Sequence, residues 1–387
     1  MRIVDLWSEE PPLPEEWLED ADTVCGYLSE AFFSGKAEGA EMTPKLQDIE
    51  IETVNRCNND CSFCPVSRGN DIRPYQKMEL SLFRKIIGEL EGMHYQGTLS
   101  LYSNNEPLLD ERLFEMLAYA RKKLPDASHA LYTNGLLLNE EKLSRLEKLL
   151  DTLVIDIYSG ERLVSDRFAW LASYQAAGRC RVQPVLRNKN QVLTTRAGVS
   201  PNKKTEKNFH SFCLYPFRQM VIRPDGKVSR CCHDAYGQAV MGDLAKESIE
   251  AVWNGPAFRK LRAVLAEQNR CKEKGCAHCD VLLYDCRLEE KEREVMRRSL
   301  LALLREKHRE GRRLCLCGSE RKKERLGEFL AAERLSYETV TEENAQELLT
   351  DERTYLAAEH FSSRALHAFQ AQGRKCVDDF MVYFRCV

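Results

Sequence analysis

The sequence offers no run of about 18 apolar residues, the least that reads as a membrane span. It also lacks a basic-then-apolar opening segment of the kind that directs secretion; it begins MRIVDLWSEEPPLPEEW. No membrane partner is expected, and the chain reads as soluble and cytoplasmic. Charge of neither sign dominates, since 57 Lys and Arg face 60 Asp and Glu, a formal net charge of −3. With no basic, aromatic-interleaved patch either, nucleic acid is argued against as a partner. The G-x-G-x-x-G fingerprint is missing, as are internal repeats and low-complexity tracts. At 387 residues the chain has room for two or three domains and a sizeable core.

What the sequence has in plenty is cysteine, 16 residues of it. In a reducing compartment disulfides are rare, so clustered thiols read first as metal ligands. Cys57, Cys61 and Cys64 form one group, and seven more lie between Cys213 and Cys286; the other six are scattered. Singles such as Cys25 and Cys180 read as small buried hydrophobes.

Along the chain, residues 1–45 read as a polar, helical lead-in. Strand and helix patterns then alternate. LQDIEIETV alternates apolar and polar residues as a strand does, and LSLFRKIIGELEGM follows with the spacing of an amphipathic helix. Strands are expected again at GTLSLYS, SHALYTNG, DTLVIDIYSG and CRVQPVLR, with helices between them, the last at about 162–177. Such alternation implies βαβ units and a parallel sheet, whose ligands sit beyond the C-terminal strand ends. The first cysteine group lies just past such an end. A polar stretch, SPNKKTEKNFH, leads to the second cysteine group, where Asp225-Gly226 between β-rich flanks predicts a hairpin. Beyond it a long charged helix precedes a small α/β module. RLCLCGSERKKERL sits where a nucleotide site would place its glycine-rich turn, but only Gly318 is there. The bland reading, a module for substrate positioning or partner contact, is preferred, with Cys315 and Cys317 in its core.

A closed metal site takes four protein ligands, and CNNDCSFCP supplies three. Zinc borrowing a fourth ligand from elsewhere is one reading. The spacing Cys57-x3-Cys61-x2-Cys64, with Phe63 before the last cysteine and a strand before the first, resembles the signature of the radical S-adenosylmethionine (SAM) enzymes. That resemblance spans roughly residues 48–200. It implies a partial (β/α)6 TIM-like barrel with three thiolates holding a [4Fe–4S] cluster, whose open iron takes SAM and cleaves it to a 5′-deoxyadenosyl radical. It also implies an external reductant such as flavodoxin or ferredoxin. LYSNNEPLLD resembles the family's Gly-Gly-Glu segment with both glycines replaced, which makes Asn104, Asn105 and Glu106 candidate cofactor contacts. Asn134 in YTNG, Asp156 in VIDIYSG and Arg196 in TTRAG are carried over in the same way, with Phe63 beside the cluster. An ordinary barrel-wall residue at 156 and a surface cation at 196 are the competing readings.

For the second group, spacing alone leaves zinc and iron–sulfur equal. Cys213, Gly226, Cys231 and the later Cys276-x2-Cys279 resemble the extension called SPASM or, when shortened, twitch. The full two-cluster pattern departs here, because Cys286 follows Cys279 after six residues and position 290 is Glu. One auxiliary [4Fe–4S] cluster is therefore expected, on Cys213, on Cys231 or Cys232, and on Cys276 and Cys279, with Cys271 and Cys286 in reserve. The expected organisation is a lead-in (1–45), a radical SAM core (46–205), an auxiliary-cluster domain (206–290) and a helix with a small Rossmann-like α/β domain (291–387). The expected function is hydrogen abstraction and C–H oxidation or related functionalisation of a small-molecule or peptide substrate. Sugar-type and peptide substrates both stay open, although the lead-in looks too short for a leader-peptide domain. The rival from another class is a zinc-stabilised binding module.

Overall fold

A computed structural model describes residues 3–5, 46–176, 178–204, 213–266, 270–281, 290–318, 320–341, 344, 348, 351, 353–358 and 380–382. Two sheets organise it. The larger has nine strands. They are β1 (Val4–Asp5), β2 (Asp48–Ile51), β3 (Thr98–Ser100), β4 (Ser128–Thr133), β5 (Thr152–Ser159), β6 (Arg181–Asn188), β7 (Gln219–Ile222), β8 (Lys227–Ser229) and β9 (Val240–Asp243). Their order in space is β1-β6-β5-β4-β3-β2-β7-β8-β9. The run from β1 to β7 is parallel throughout, and it forms the partial barrel. All five strands expected from the alternating pattern are present in it.

Two features differ from the expectation. The opening segment, read as helical, supplies a strand: Val4 pairs with Val185 at the β6 edge. The rest of that lead-in lies outside the described residues. The helix expected at 162–177 is a 3-10 turn, Asp166–Phe168, followed by one short α-helical turn, Trp170–Ser173.

Period-two alternation sorts the barrel side chains. Ile49 and Ile51 of β2, Leu99 of β3, Leu131 of β4, Leu153, Ile155 and Ile157 of β5, and Met220 and Ile222 of β7 all join one buried cluster. They meet helix α1 (Leu80–Gly92), which buries Phe83, Ile86, Ile87 and Leu90 at helical spacing. Each such side chain contributes about 1.5–3 kcal/mol of burial. The opposite face of the same strands carries Glu50, Ser100, Tyr132, Asp156 and Gln219, so the barrel interior is polar. That polarity is what a site needs and a core does not.

The hairpin forms where Asp225-Gly226 predicts it. β7 and β8 pair antiparallel, and Gly226 takes φ +84° in the turn, where a side chain would be strained. Its first strand is continuous with the barrel, since β7 lies parallel to β2 with Ile51 opposite Ile222. Helix α2 (Pro256–Ala266) and the charged helix α3 (Glu290–Arg309) then lead to β10 (Arg313–Cys317), α4 (Glu320–Ala332), β11 (Tyr337–Val340), β12 (Thr354–Ala358) and β13 (Phe380–Val382). These strands form a parallel sheet of order β11-β10-β12-β13. Cys315 and Cys317 are buried in it, as expected. A second core joins this sheet to the cysteine-rich segment through Leu261, Leu265, Leu300, Leu304, Leu314 and Tyr355, and it includes Cys213 and Cys276. Among the described residues no helix is long and apolar enough to cross a membrane.

Candidate active site

The loop after β2 carries Cys57, Cys61 and Cys64, and several contacts fix its path. Ser62 N–H donates to the Lys189 carbonyl (2.9 Å) at the end of β6, and Arg68 N–H donates to the Asn59 carbonyl (2.7 Å). The strongest clamp is Arg73. Its Nη1 reaches both Glu52 oxygens at 3.2 Å, while Nη2 donates to the Asn104 carbonyl (2.9 Å), the Asn55 carbonyl (3.3 Å) and Asp71 (3.0 Å). Glu52 Oε1 in turn accepts the Asn104 N–H at 2.9 Å. One buried ion pair therefore holds the cysteine loop to the loop that follows β3.

Phe63, Asn104, Asn105, Glu106, Asn134, Asp156 and Arg196, every cofactor contact expected from the sequence, line one cavity of about 320 Å³ together with the three cysteines. Burial pushes the Cys57 thiol up to about 12 and raises Cys61 as well. Both are thus protonated at neutral pH when no metal is bound. Soft thiolates suit iron–sulfur centres, and loading them releases protons. Asn105 Nδ2 is buried in this wall without a hydrogen-bond partner, a donor suited to an acceptor on a bound cofactor. The residues present therefore fit a cluster with SAM. Among the described residues no three His, Cys, Asp or Glu close tightly enough to hold a single metal ion, so the fit rests on donor chemistry and burial.

Glu106 is 1 % exposed and firmly seated. Its carboxylate accepts from Thr133 Oγ1 (2.7 Å), Asn134 N–H (2.7 Å) and Leu108 N–H (3.0 Å). About four lone-pair positions exist on a carboxylate, which leaves room for one more donor. Asn134 Nδ2 lies 3.6 Å from Cys57 Sγ and 2.8 Å from Asn58 Oδ1. Asp156 pairs with Arg187 at 2.6 Å, and the Phe63 ring lies 5.8 Å from that of Tyr158. Arg196 is no surface cation. It stands in a turn of positive φ (51°) and donates to Asn104 Oδ1.

Sequence reasoning missed Tyr102, Tyr132, Tyr158 and His233, which also line the cavity. Tyr102 and Tyr132 stack with centroids 5.2 Å apart. Tyr132 on β4, and Tyr102 two residues past the end of β3, share parity with the inward-facing residues Asp156 and Ser100, which was the available signal. His233 follows the paired cysteines directly. Burial, with Arg196 and Arg270 nearby, pulls its pKa down to about 3, so it is neutral.

The second cysteine group resolves into a foursome and an outlier. Cys213, Cys231, Cys276 and Cys279 are all buried, and Cys213, Cys276 and Cys279 lie within electrostatic range of one another or of Cys231. Like Cys231, Cys232 lies within electrostatic range of Arg196, but it is only half-buried. Its carbonyl accepts from Asn104 Nδ2 (3.1 Å), and its N–H donates to Gln219 Oε1 (3.2 Å). Cys231 has Cys213, Cys276 and Cys279 within electrostatic range. Thr195 joins the two regions, with its N–H on Asp280 Oδ1 (2.8 Å) and its hydroxyl on the His278 carbonyl (2.6 Å). Cys271 is half-buried beside this group, and Cys286 lies outside the described residues.

Comparison with known proteins agrees with this geometry. Residues 51–177 match the model of the Radical SAM superfamily, and residues 213–280 match SPASM, an iron-sulfur cluster-binding domain. The chain is 26% identical over 234 residues to the S-adenosyl-L-methionine-dependent 2-deoxy-scyllo-inosamine dehydrogenase of Niallia circulans, covering 60% of this chain and 92% of that protein. The fold resembles the crystal structure of BtrN in complex with AdoMet and 2-DOIA, with a TM-score of 0.55 and 24% identity over 62% of this chain and 95% of that one. The β10–β13 sheet lies beyond both family matches. A zinc-stabilised binding module is not favoured, because both matched regions belong to iron–sulfur families. The chain thus carries a radical SAM domain and a SPASM-type auxiliary domain, which imply SAM and [4Fe–4S] clusters as its cofactors.

Proposed function

We propose that this enzyme dehydrogenates a hydroxyl-bearing carbon of a small, polyhydroxylated substrate of the aminocyclitol or sugar type. The observation that carries the reading is a single cavity lined both by the three-cysteine loop and by His233, which sits two residues from Cys231 of the buried foursome. A radical formed there lies beside an electron acceptor, as net oxidation requires. Likeness over nearly the full length of a cyclitol-amine dehydrogenase points the same way.

In this reading Cys57, Cys61 and Cys64 hold the SAM-binding cluster, and Cys213, Cys231, Cys276 and Cys279 hold one auxiliary cluster. When bound, cluster and SAM together supply the 5′-deoxyadenosyl radical. The protein's own part is placement. Glu106, fixed by three donors, orders the end of β3 against β4, and Asn105 and Arg196 offer donors to the cofactor's carboxylate. The Asp156–Arg187 pair and the Tyr102–Tyr132 wall bound the substrate side.

The test is anaerobic turnover with dithionite, SAM and 2-deoxy-scyllo-inosamine deuterated at each ring carbon in turn. Deuterium is expected in 5′-deoxyadenosine from one position, with a ketone as product. If 5′-deoxyadenosine forms but never carries deuterium from this or related cyclitols and sugars, the substrate class is wrong.

A further inference from the structure

Two arginines are buried among the foursome of thiols, and nothing in the barrel chemistry uses them. Arg230 and Arg270 are 2 % and 1 % exposed. Arg230 precedes Cys231 in sequence and reaches across to the other ligand-bearing loop. Its Nη1 donates to the Lys274 carbonyl and to Glu273 Oε1 (3.3 Å), and its guanidinium packs flat against Gly275, whose φ of +91° and missing Cβ permit that approach. Cys276 follows immediately. Arg230 Nε is buried and has no hydrogen-bond partner. Arg270 lies within electrostatic range of Cys213 and Cys276.

Arginine does not shed its proton, so burying two of them calls for compensating negative charge. Around Arg230 the nearby carboxylates supply only part. Asp234 lies 3.9 Å from Arg230, and its oxygens already accept the N–H groups of Gln238 (2.8 Å) and Ala239 (3.0 Å). Glu273 is partly solvated. Four protonated thiols would supply none, whereas a thiolate-bound cluster is anionic and gains a further negative charge on reduction. Net charge, hydrogen bonds to sulfur and solvent exposure set the potential of such clusters.

We propose that Arg230 and Arg270 act as a buried cation pair that raises the reduction potential of the auxiliary cluster, with Arg230 Nε as a donor to its sulfur, so that the cluster accepts the electron left on the substrate. This rests on the reading above that Cys213, Cys231, Cys276 and Cys279 hold a cluster, and it goes beyond that reading by assigning the control of its potential.

The experiment is an EPR-monitored redox titration of the full-length, anaerobically reconstituted protein carrying Cys57→Ala, Cys61→Ala and Cys64→Ala, which isolates the auxiliary signal. Arg230→Gln and Arg270→Gln should each shift the reduction equilibrium at least tenfold toward the oxidised form, a fall of 59 mV for a one-electron couple. Arg230→Lys keeps the charge and should stay within threefold of the parent. An unchanged midpoint in both Gln variants at parental iron content overturns the proposal, as does a Lys shift equal to the Gln shift, because packing rather than charge would then be at work. Should Arg230→Gln fail to hold iron, Arg270→Gln decides alone. A parent protein without auxiliary iron overturns the underlying cluster reading instead, an outcome distinct from an unmoved midpoint.

Discussion

Replacing Arg73 with Met would remove the clamp between the cysteine loop and Asn104 while keeping its apolar bulk. Its side chain is 3 % exposed and that of Glu52 1 %, so solvent screening gives little relief. The variant leaves a carboxylate whose pKa burial already raises, along with an Asn104 carbonyl that loses its Arg73 donor. Breaking a buried pair from one side costs about 3–5 kcal/mol, a large share of the roughly 5–15 kcal/mol that holds a domain together. Glu52→Gln/Arg73→Met removes the stranded charge and should recover at least half of that loss. The sign with pH follows. A buried acid whose folded pKa is raised loses stability as pH climbs above its unfolded value, about 4.3 for Glu. The Arg73→Met deficit should therefore shrink in acid and grow toward neutrality. Urea unfolding of the anaerobic holoprotein, followed by far-UV circular dichroism from pH 5 to 8, reads all three quantities. A deficit under about 1 kcal/mol, no recovery in the double variant, or a flat pH dependence would refute the account.

Three further outcomes are expected. Cys57→Ala, Cys61→Ala and Cys64→Ala should each abolish 5′-deoxyadenosine formation with dithionite and SAM while leaving the auxiliary cluster's iron in place, read by product chromatography and iron assay. Cys231→Ala should lose the auxiliary iron and Cys232→Ala should retain it; equal loss in both would undo the grouping of Cys231 with Cys213, Cys276 and Cys279. Glu50, raised by burial to about 7 despite its Ser103 hydrogen bond, contributes stability in acid that fades as pH rises from the unfolded value through 7. Glu50→Gln should flatten the melting temperature over that window, and an unchanged slope would count against this titration.

Legibility from sequence followed the range of the interactions. The barrel strands, the Asp225-Gly226 hairpin and the three-cysteine loop are set by local patterns, and these could be read. The pairing of Val4 with Val185 could not, because a two-residue strand has no periodicity to detect and its partner is far along the chain. The Arg73–Glu52 pair is hidden for a similar reason, as single charges in a loop look solvated until the fold buries them. Which of Cys231 and Cys232 joins Cys213, Cys276 and Cys279 was open in the sequence, because only tertiary contacts bring those thiols together. His233 and the inward tyrosines come into the site by the same route.

The pairing of β2 with β7 bears on how the chain is made. About 170 residues separate Ile51 from its partner Ile222. At ribosomal rates of about 5–20 residues per second, that edge of β2 waits roughly 10–30 s for its neighbour. Throughout that interval β2 presents unpaired backbone groups and two isoleucines, a template for wrong pairing with another nascent chain. A chain truncated before the hairpin would keep that edge open permanently. The auxiliary segment is therefore also the element that ends the barrel's exposure to aggregation, whatever electrons it carries afterwards.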